Sequence, residues 1–168
     1  MRGKVDAVMV GVNTVIKDAP MLTNRTSKGK RPARIIVDSR LSTPLTARLF
    51  SSAKRSSIFI VTTKTYPKAR LIEKEGAKVL VVKSKAGRVD LKDLLKRLGK
   101  MGIMHVLAEG GGKLAAGLFE EGLADSVLFF IAPKIIGGRD ALTSVEGRGV
   151  DHLRDAIALK NMRAKMSG

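Results

Sequence analysis

The stretch Leu107-Ala108-Glu109-Gly110-Gly111-Gly112-Lys113-Leu114 joins a short strand-like run, His105–Leu107, to a helix-like run, Leu114–Gly122. Three consecutive glycines let the backbone approach a ligand that side chains would keep away. The first amides of a helix lack intrahelical partners and carry partial positive charge, so such a junction can hold a phosphate. A flexible turn capped by glycine is the alternative interpretation. The acid Glu109 before the glycines and the helix after them favour a ligand site.

Outward from this junction, short apolar runs alternate with helix-patterned segments. The predicted strands are rich in β-branched residues or bounded by turn residues. They are Val5–Val10, Arg34–Val37, Ile58–Val61, Lys78–Val82, His105–Leu107 and Val127–Ile131. The predicted helices are Pro67–Glu75, Leu91–Met101 with Asp90 as its N-cap, and Leu114–Gly122. Alternation of this kind predicts an α/β fold, with helices on the faces of a sheet.

Length and composition limit the classes of protein to consider. With 168 residues, 44% of them apolar, the chain is expected to form a single domain with a real core. The absence of cysteine excludes disulfides and thiolate metal sites, and it fits a cytoplasmic protein. Neither a signal peptide nor a membrane span is apparent. The two histidines, His105 and His152, cannot make a metal site alone, so no metal is expected.

The charge balance is strongly basic, with 32 Lys and Arg against 15 Asp and Glu, a net charge of +17. A field of this sign attracts polyanions, which are either nucleic acid or small ligands that carry phosphate. A generally basic surface without a specific partner is the alternative. Aromatic residues that could stack on bases are few, with one Tyr and five Phe, so a dedicated nucleic-acid function is disfavoured but not excluded.

A second group of polar residues follows the first predicted strand, in the segment Gly11–Arg25. In open α/β sheets ligands bind at the carboxyl ends of strands, so these side chains can converge on one ligand. Thr14 and Asp18 are four residues apart and would share one face of a helical turn. Arg25 suits a phosphate because its planar fork can bind two oxygens. Capping, turn-forming and solvated roles are the alternatives for each residue taken alone.

Two common nucleotide-binding patterns are excluded. A Rossmann domain would carry its glycine fingerprint directly after the first strand, where this chain has Gly11-Val12-Asn13. A Walker A loop requires Ser or Thr after its lysine, whereas here Leu114 follows Lys113. A nucleotide cofactor would therefore be held by a different fold.

Four segments together resemble the reductase domain of riboflavin biosynthesis: Val5–Val15, Asp18–Arg25, Arg34–Ser39 and Ala108–Gly112. The resemblance implies an α/β fold like that of dihydrofolate reductase, a mostly parallel sheet with helices on both faces. It also implies a cytoplasmic, usually dimeric oxidoreductase. Such an enzyme uses NADPH to reduce the ribosyl group of a pyrimidine ribosylamine 5′-phosphate to ribityl, and either the diamino or the deaminated pyrimidine remains open.

The resemblance also implies roles for individual residues. Asp18 and Glu109 would be catalytic, and Leu22, Arg25 and Glu109 would bind the substrate. The cofactor would be bound by Thr14, Asp18, Ser39, Gly111, Gly112, Lys113, Leu114, Ala115, Ala116 and Gly117.

The chain departs from the family pattern at three places. Ala19 stands where a second Asp is often found. A family segment with a first strand and a substrate-lining motif has no counterpart before Val5, and a final strand is hard to see after Leu159. We therefore expect a sheet that is incomplete at both ends. Two alternatives to an active reductase stay open: an inactive relative that binds NADPH or another nucleotide, and a basic protein that binds nucleic acid.

Overall fold

A computed structural model of the chain describes residues 1–24, 29–138, 141 and 143–166. Its seven strands are β1 (Ala7–Gly11), β2 (Ala33–Val37), β3 (Ile58–Thr62), β4 (Lys78–Val81), β5 (Ser84–Lys85), β6 (Arg88–Val89) and β7 (Val106–Ala108). Five of them form a parallel sheet in the order β4-β3-β2-β1-β7. Strands β5 and β6 form a separate antiparallel hairpin.

Within the described residues, four α-helices accompany the sheet: α1 (Val12–Asp18), α2 (Ala69–Lys74), α3 (Leu91–Lys100) and α4 (Gly112–Glu120). Short 3-10 turns cover Arg2–Lys4, Arg48–Ser52 and Leu153–Asp155. Helix α3 begins where the sequence predicts, because the Asp90 carboxylate accepts the amide of Asp93 at 2.9 Å. Its leucines at 91, 94 and 98 are buried, as their spacing requires.

The core lies on both faces of the sheet. On one face Val15 of α1 and Ile72 of α2 pack with strand residues such as Val8, Ile36 and Ile60. On the other face the leucines of α3 and α4 pack with a second set of strand residues that includes Met9 and Ile35. The predicted α/β class, with a parallel sheet between two layers of helices, is thus confirmed.

Strand β2 carries a buried cation within this core. The Arg34 guanidinium is fully buried and donates to the carbonyls of Leu49 and Ser56, at 2.8 and 2.7 Å, and to the hydroxyl of Ser52 at 2.7 Å. Burial lowers the pKa of Arg34 from its usual value. Its donors tie β2 to the turn that leads into β3, where backbone oxygens would otherwise be buried unpaired.

Five of the predicted strands form within one or two residues of their expected bounds, but the prediction of a strand over Val127–Ile131 is wrong. Those residues adopt no regular structure, and Phe130 and Ile131 are 81% and 91% exposed. Among the described residues no strand lies beside them. Without a neighbour to satisfy its backbone groups and cover its side chains, an apolar run has no reason to become a strand.

The order of the strands determines where a ligand can bind. From β1 the chain proceeds through β2 and β3 to β4 on one side, and β7 then pairs with β1 on the other side. In open parallel sheets such a change of direction opens a crevice at the carboxyl ends of the two strands, where ligands bind. That crevice lies here at the ends of β1 and β7.

None of the helices in the described part of the chain is both long enough and apolar enough to span a membrane.

Candidate active site at the carboxyl ends of β1 and β7

The junction between β7 and α4 is a cradle of backbone amides that is exposed at Gly110 and Gly111. At Gly112 it is covered by Glu146, whose backbone amide donates to the Gly112 carbonyl at 3.1 Å. The amide of Glu109 still pairs with the carbonyl of Met9 at 2.9 Å, as a continuation of the sheet. Beyond it, within the part of the chain that the structure describes, the amides of residues 110–113 have no hydrogen-bond acceptor. Gly110 and Gly111 have φ angles of +61° and +81°, which glycine adopts without strain. The junction thus presents donors to an anion at the start of a nine-residue helix.

Thr14 of α1 lies directly beside this cradle. A Cβ built on Gly110 or on Gly111 would lie 3.6 Å from the Thr14 hydroxyl oxygen. The family resemblance implied that Thr14 and the glycines after β7 bind the same cofactor, and the structure places Thr14 beside these glycines. Asp18 follows one turn later, exposed at the end of α1.

Glu109 is held by a cation from the start of the chain. The Arg2 guanidinium donates to both carboxylate oxygens of Glu109, at 2.9 Å from Nε and 2.6 Å from the terminal nitrogen. Another nitrogen of Arg2 donates to the carbonyl of Thr23 at 3.1 Å. The pairing with Glu109 raises the pKa of Arg2 above its ordinary value. Both side chains are about one quarter exposed, so the pair borders the crevice and is open to a ligand.

Sequence reasoning missed Arg2. The residue lies in a short 3-10 turn before β1, and its partner lies 107 positions further along the chain. A lone arginine before a strand carries no local signal. The one available clue is that an acid at a strand end that faces a ligand crevice needs a positive neighbour once it is partly buried.

The other predicted site residues differ in whether their side chains can reach a ligand. Leu22 is only 1% exposed and its side chain belongs to the core, so a ligand could reach only its backbone. Within the predicted cofactor segment, the side chains of Leu114 and Ala116 also point into the core, while Lys113 is exposed. The first positions of α4 therefore offer backbone groups to a ligand. Arg25 lies outside the described residues.

Ser39 lies just after β2 and forms hydrogen bonds with residues at the end of β3 and in the loop after it. Its carbonyl accepts the hydroxyls of Thr62, Thr63 and Tyr66 at 3.1, 3.1 and 3.2 Å. Its hydroxyl oxygen accepts the amide of Val89 at 3.0 Å, which fixes the β5–β6 hairpin over this corner. Ser39 is thus placed at the same edge of the sheet as the cradle, two strands away from it.

The donors at this edge fit a nucleotide cofactor. Unpaired amides at a helix start are groups that bind a diphosphate. Room for such a ligand lies beside Gly110 and Gly111, whereas Glu146 packs against Gly112. Among the described residues, no three His, Asp or Glu side chains are grouped so that they could hold a metal ion. The crevice can therefore bind an anion beside a hydroxyl, Thr14, and a paired carboxylate, Glu109.

Comparisons with known proteins identify one matching family and several relatives of the chain. The model of the RibD C-terminal domain family matches residues 1–167. The chain is 40% identical to a riboflavin biosynthesis protein RibD of Actinobacillus pleuropneumoniae, over 99% of this chain and 45% of that protein. It is also 40% identical to a 2,5-diamino-6-ribosylamino-4(3H)-pyrimidinone 5′-phosphate reductase of Methanothermobacter thermautotrophicus, over all of this chain and 78% of the relative.

Solved structures share the fold. A RibD structure from Acinetobacter baumannii superposes with a TM-score of 0.77 at 24% identity, and it covers 93% of this chain and 42% of its own. The chain thus spans less than half the length of the RibD proteins that it matches. The fold like that of dihydrofolate reductase, which the resemblance implied, is confirmed by these neighbours.

Proposed function

This chain belongs to the RibD C-terminal domain family, and from that membership we propose that it reduces the ribosyl group of a pyrimidine ribosylamine 5′-phosphate to ribityl, with NADPH as the nicotinamide cofactor. The observation that carries the proposal is the cradle of unpaired amides at residues 110–113 beside Thr14 and Glu109. A phosphate-bearing cofactor and a substrate rich in hydroxyls require these kinds of group.

The cofactor is assigned to the α4 side of the crevice. Backbone amides of Gly111, Gly112 and Lys113 would hold its phosphates, because they are oriented donors at the positive end of a helix. The Thr14 hydroxyl beside them adds one further donor. When bound, the cofactor supplies the hydride, and the protein contributes position and electrostatics. Asp18 and Ser39 complete the proposed cofactor set.

The substrate is assigned to the Glu109 side. A carboxylate accepts hydrogen bonds from sugar hydroxyls, and the ion pair with Arg2 fixes the orientation of Glu109. Since Arg2 also binds the Thr23 carbonyl, one guanidinium positions both the acid and the loop after α1. Arg25 remains our candidate for the 5′-phosphate, and Leu22 for a backbone contact. We also propose that the protein is a cytoplasmic homodimer.

Substitution of Glu109 by Gln tests the substrate assignment. We expect kcat/KM for the phosphorylated pyrimidine to fall by about 100-fold, within the range for loss of a charged group that orients or exchanges a proton with the substrate. NADPH affinity, measured by calorimetric titration, should change little because the cradle is intact. Glu75→Gln, an exposed acid at the end of α2, is the matched control and should retain full activity.

A folded Glu109→Gln variant with unchanged turnover would remove Glu109 from the mechanism. Wild-type protein that binds NADPH but never turns over either form of the pyrimidine would correspond to the inactive relative considered above. The names of the relatives give no support to a nucleic-acid-binding function.

A further inference from the structure

A segment that follows α4 in the sequence folds back onto the start of that helix. We call residues 143–149 the strap. Its backbone is irregular, and every one of its residues except Glu146 is exposed. The Glu146 amide donates to the carbonyl of Gly112, the first residue of α4, at 3.1 Å. The strap is thus docked on the helix through Glu146.

The side chain of Glu146 lies where a side chain of residue 112 would stand. A Cβ built on Gly112 would be 2.6 Å from the Glu146 Cγ and 3.0 Å from its carboxylate oxygen Oε1. Gly110 and Gly111 have positive φ angles, whereas Gly112 does not, so the backbone conformation of Gly112 is open to any residue. The third glycine is therefore required by the docked Glu146 and not by the turn.

Gly147, the next residue of the strap, also lies close against α4. A Cβ built on it would be 2.8 Å from the Ala116 Cβ and 2.7 Å from the Glu120 carboxylate oxygen Oε1. Its φ angle of +100° is one that other residues rarely adopt. The docked position of the strap thus depends on a glycine at both sides of the contact, and a side chain at position 147 would push the strap away from the helix.

The carboxylate of Glu146 is a negative group at the positive end of α4. Among the described residues, no Lys, Arg or His nitrogen lies within 4 Å of its oxygens. The helix dipole favours an anion at this place, whether it is a carboxylate or a phosphate. A diphosphate held by the amides of Gly111, Gly112 and Lys113 would meet this carboxylate, and like charges at short range repel each other. The two anions therefore compete for one helix start.

We propose that the strap is autoinhibitory: while Glu146 is docked it excludes the cofactor diphosphate from the start of α4, and the strap must leave before the cofactor binds. The inference rests on the proposed function, which places the diphosphate at this helix start. Among the described residues a single backbone hydrogen bond ties the strap to α4, so a ligand can displace it. A ligand that binds only the open state loses affinity in proportion to the closed fraction, roughly fivefold if four molecules in five are closed.

Two variants that weaken the docked strap by different means test this inference. Glu146→Gln removes the charge and keeps the shape, whereas Gly147→Val changes no charge and adds a side chain that would clash with Ala116. Each protein is titrated calorimetrically with NADPH and with NADH at one fixed salt concentration. We expect the Kd for either cofactor to fall about fivefold in each variant, because both cofactors carry the diphosphate.

Asp151→Asn is the matched control. Asp151 is exposed and lies five positions after Glu146, so this variant removes the same charge from the same part of the chain. Because salt screens an exposed charge, its Kd for either cofactor should stay within about twofold of wild type. This control separates a contact at the helix start from a general change in the field of the protein.

Tryptic cleavage reports the position of the strap independently of affinity. Arg148 is an exposed residue of the strap, and cleavage of a folded protein tracks the population of its open form. Saturating NADPH should therefore speed cleavage after Arg148, as measured by mass spectrometry of the peptides. Glu146→Gln should be cleaved at this bond faster than wild type when no cofactor is added.

The outcomes distinguish the two proposals. Equal cofactor affinities in wild type, Glu146→Gln and Gly147→Val, or protection of the bond after Arg148 by NADPH, would overturn the inhibitory role of the strap and leave the proposed reductase standing. Binding of neither cofactor by wild type or by either variant, all shown to be folded by circular dichroism, would remove the proposed function and this inference with it.

Discussion

Two apolar runs of similar composition have opposite fates in this molecule. Ile58–Thr62 is strand β3, buried along its whole length. Val127–Ile131 is likewise composed of β-branched, aromatic and other apolar residues. Four of its five residues are nevertheless exposed, and none belongs to a strand. The difference between them is the number of neighbours: β3 pairs with β2 and β4, and helices cover both of its faces.

The comparison indicates that a run of apolar residues does not form a strand by itself and that a neighbouring strand is also needed. Each residue of a strand brings an N–H and a C=O that must be paired, and only a neighbouring strand pairs them in series. Ile60 gains such neighbours from both sides, whereas Ile131 gains none within the described part of the chain. Three predictions test how far this contrast extends.

The largest effect is expected from one substitution made in both runs. Ile60 is fully buried, so Ile60→Ala should lower the free energy of unfolding by about 2–5 kcal/mol, through lost burial and the cavity left behind. Ile131 is 91% exposed, so Ile131→Ala should change it by less than about 0.5 kcal/mol. Urea unfolding monitored by circular dichroism measures both. Equal losses would mean that Ile131 is buried in solution and would break the comparison.

A smaller effect is expected from removing an aspartate in each region. The Asp90 carboxylate caps α3, so Asp90→Ala should lower the free energy of unfolding by about 1 kcal/mol. Asp125 is exposed in the irregular region, and Asp125→Ala should stay within about 0.5 kcal/mol of wild type. The same urea experiment applies. A loss from Asp125→Ala that matches the loss from Asp90→Ala would reveal a hidden contact after α4.

The smallest effect on the free energy of unfolding at neutral pH is expected from substituting Asp6 by Asn. This substitution should instead change how stability depends on pH. Its carboxylate pairs with Lys30 and accepts the amides of His105 and Met104, and these contacts lower the pKa of Asp6. In the unfolded chain an aspartate has a pKa near 3.9. The stabilisation by Asp6 is therefore present above about pH 3.9 and is lost as the pH falls below that value.

Asp6→Asn keeps one oxygen for an amide and cannot titrate. The variant should therefore lose less stability than wild type between pH 5 and about pH 2, as judged by urea midpoints at several pH values. Asp155→Asn, in the irregular region, serves as the control, since Asp155 is largely exposed beside Arg154. Identical acid profiles for wild type and Asp6→Asn would show that the contacts of Asp6 are not formed in solution.

Much of the fold was predictable because its signals are local. The leucine spacing and Asp90 identify α3, and the β-branched runs identify the five strands of the sheet. The β5–β6 hairpin was missed because each of its strands has only two residues, too few for a pattern. For α1 the sequence predicts only a helical turn, since its apolar residues do not recur at the spacing of an amphipathic helix.

The site was predictable where strand topology alone brings residues together. Thr14 after β1 and the glycines after β7 meet because both follow adjacent parallel strands. Arg2 could not be predicted, since its pairing with Glu109 depends on bringing together residues that lie 107 positions apart along the chain. The hydrogen bonds to the Ser39 carbonyl could not be predicted either, because nothing in the sequence around Thr62, Thr63 and Tyr66 indicates that their hydroxyls share one acceptor.

The pairing of Met9 with Ala108 brings together residues from distant parts of the sequence. Strands β1 to β4 pair with their successors along the chain, whereas β7 must close a far longer loop, and contacts of that kind form late. A chain that has assembled its first four strands would still lack the amide cradle. We therefore expect a bound cofactor to slow unfolding more than it speeds refolding, because the cradle that holds it is complete only once β7 has paired with β1.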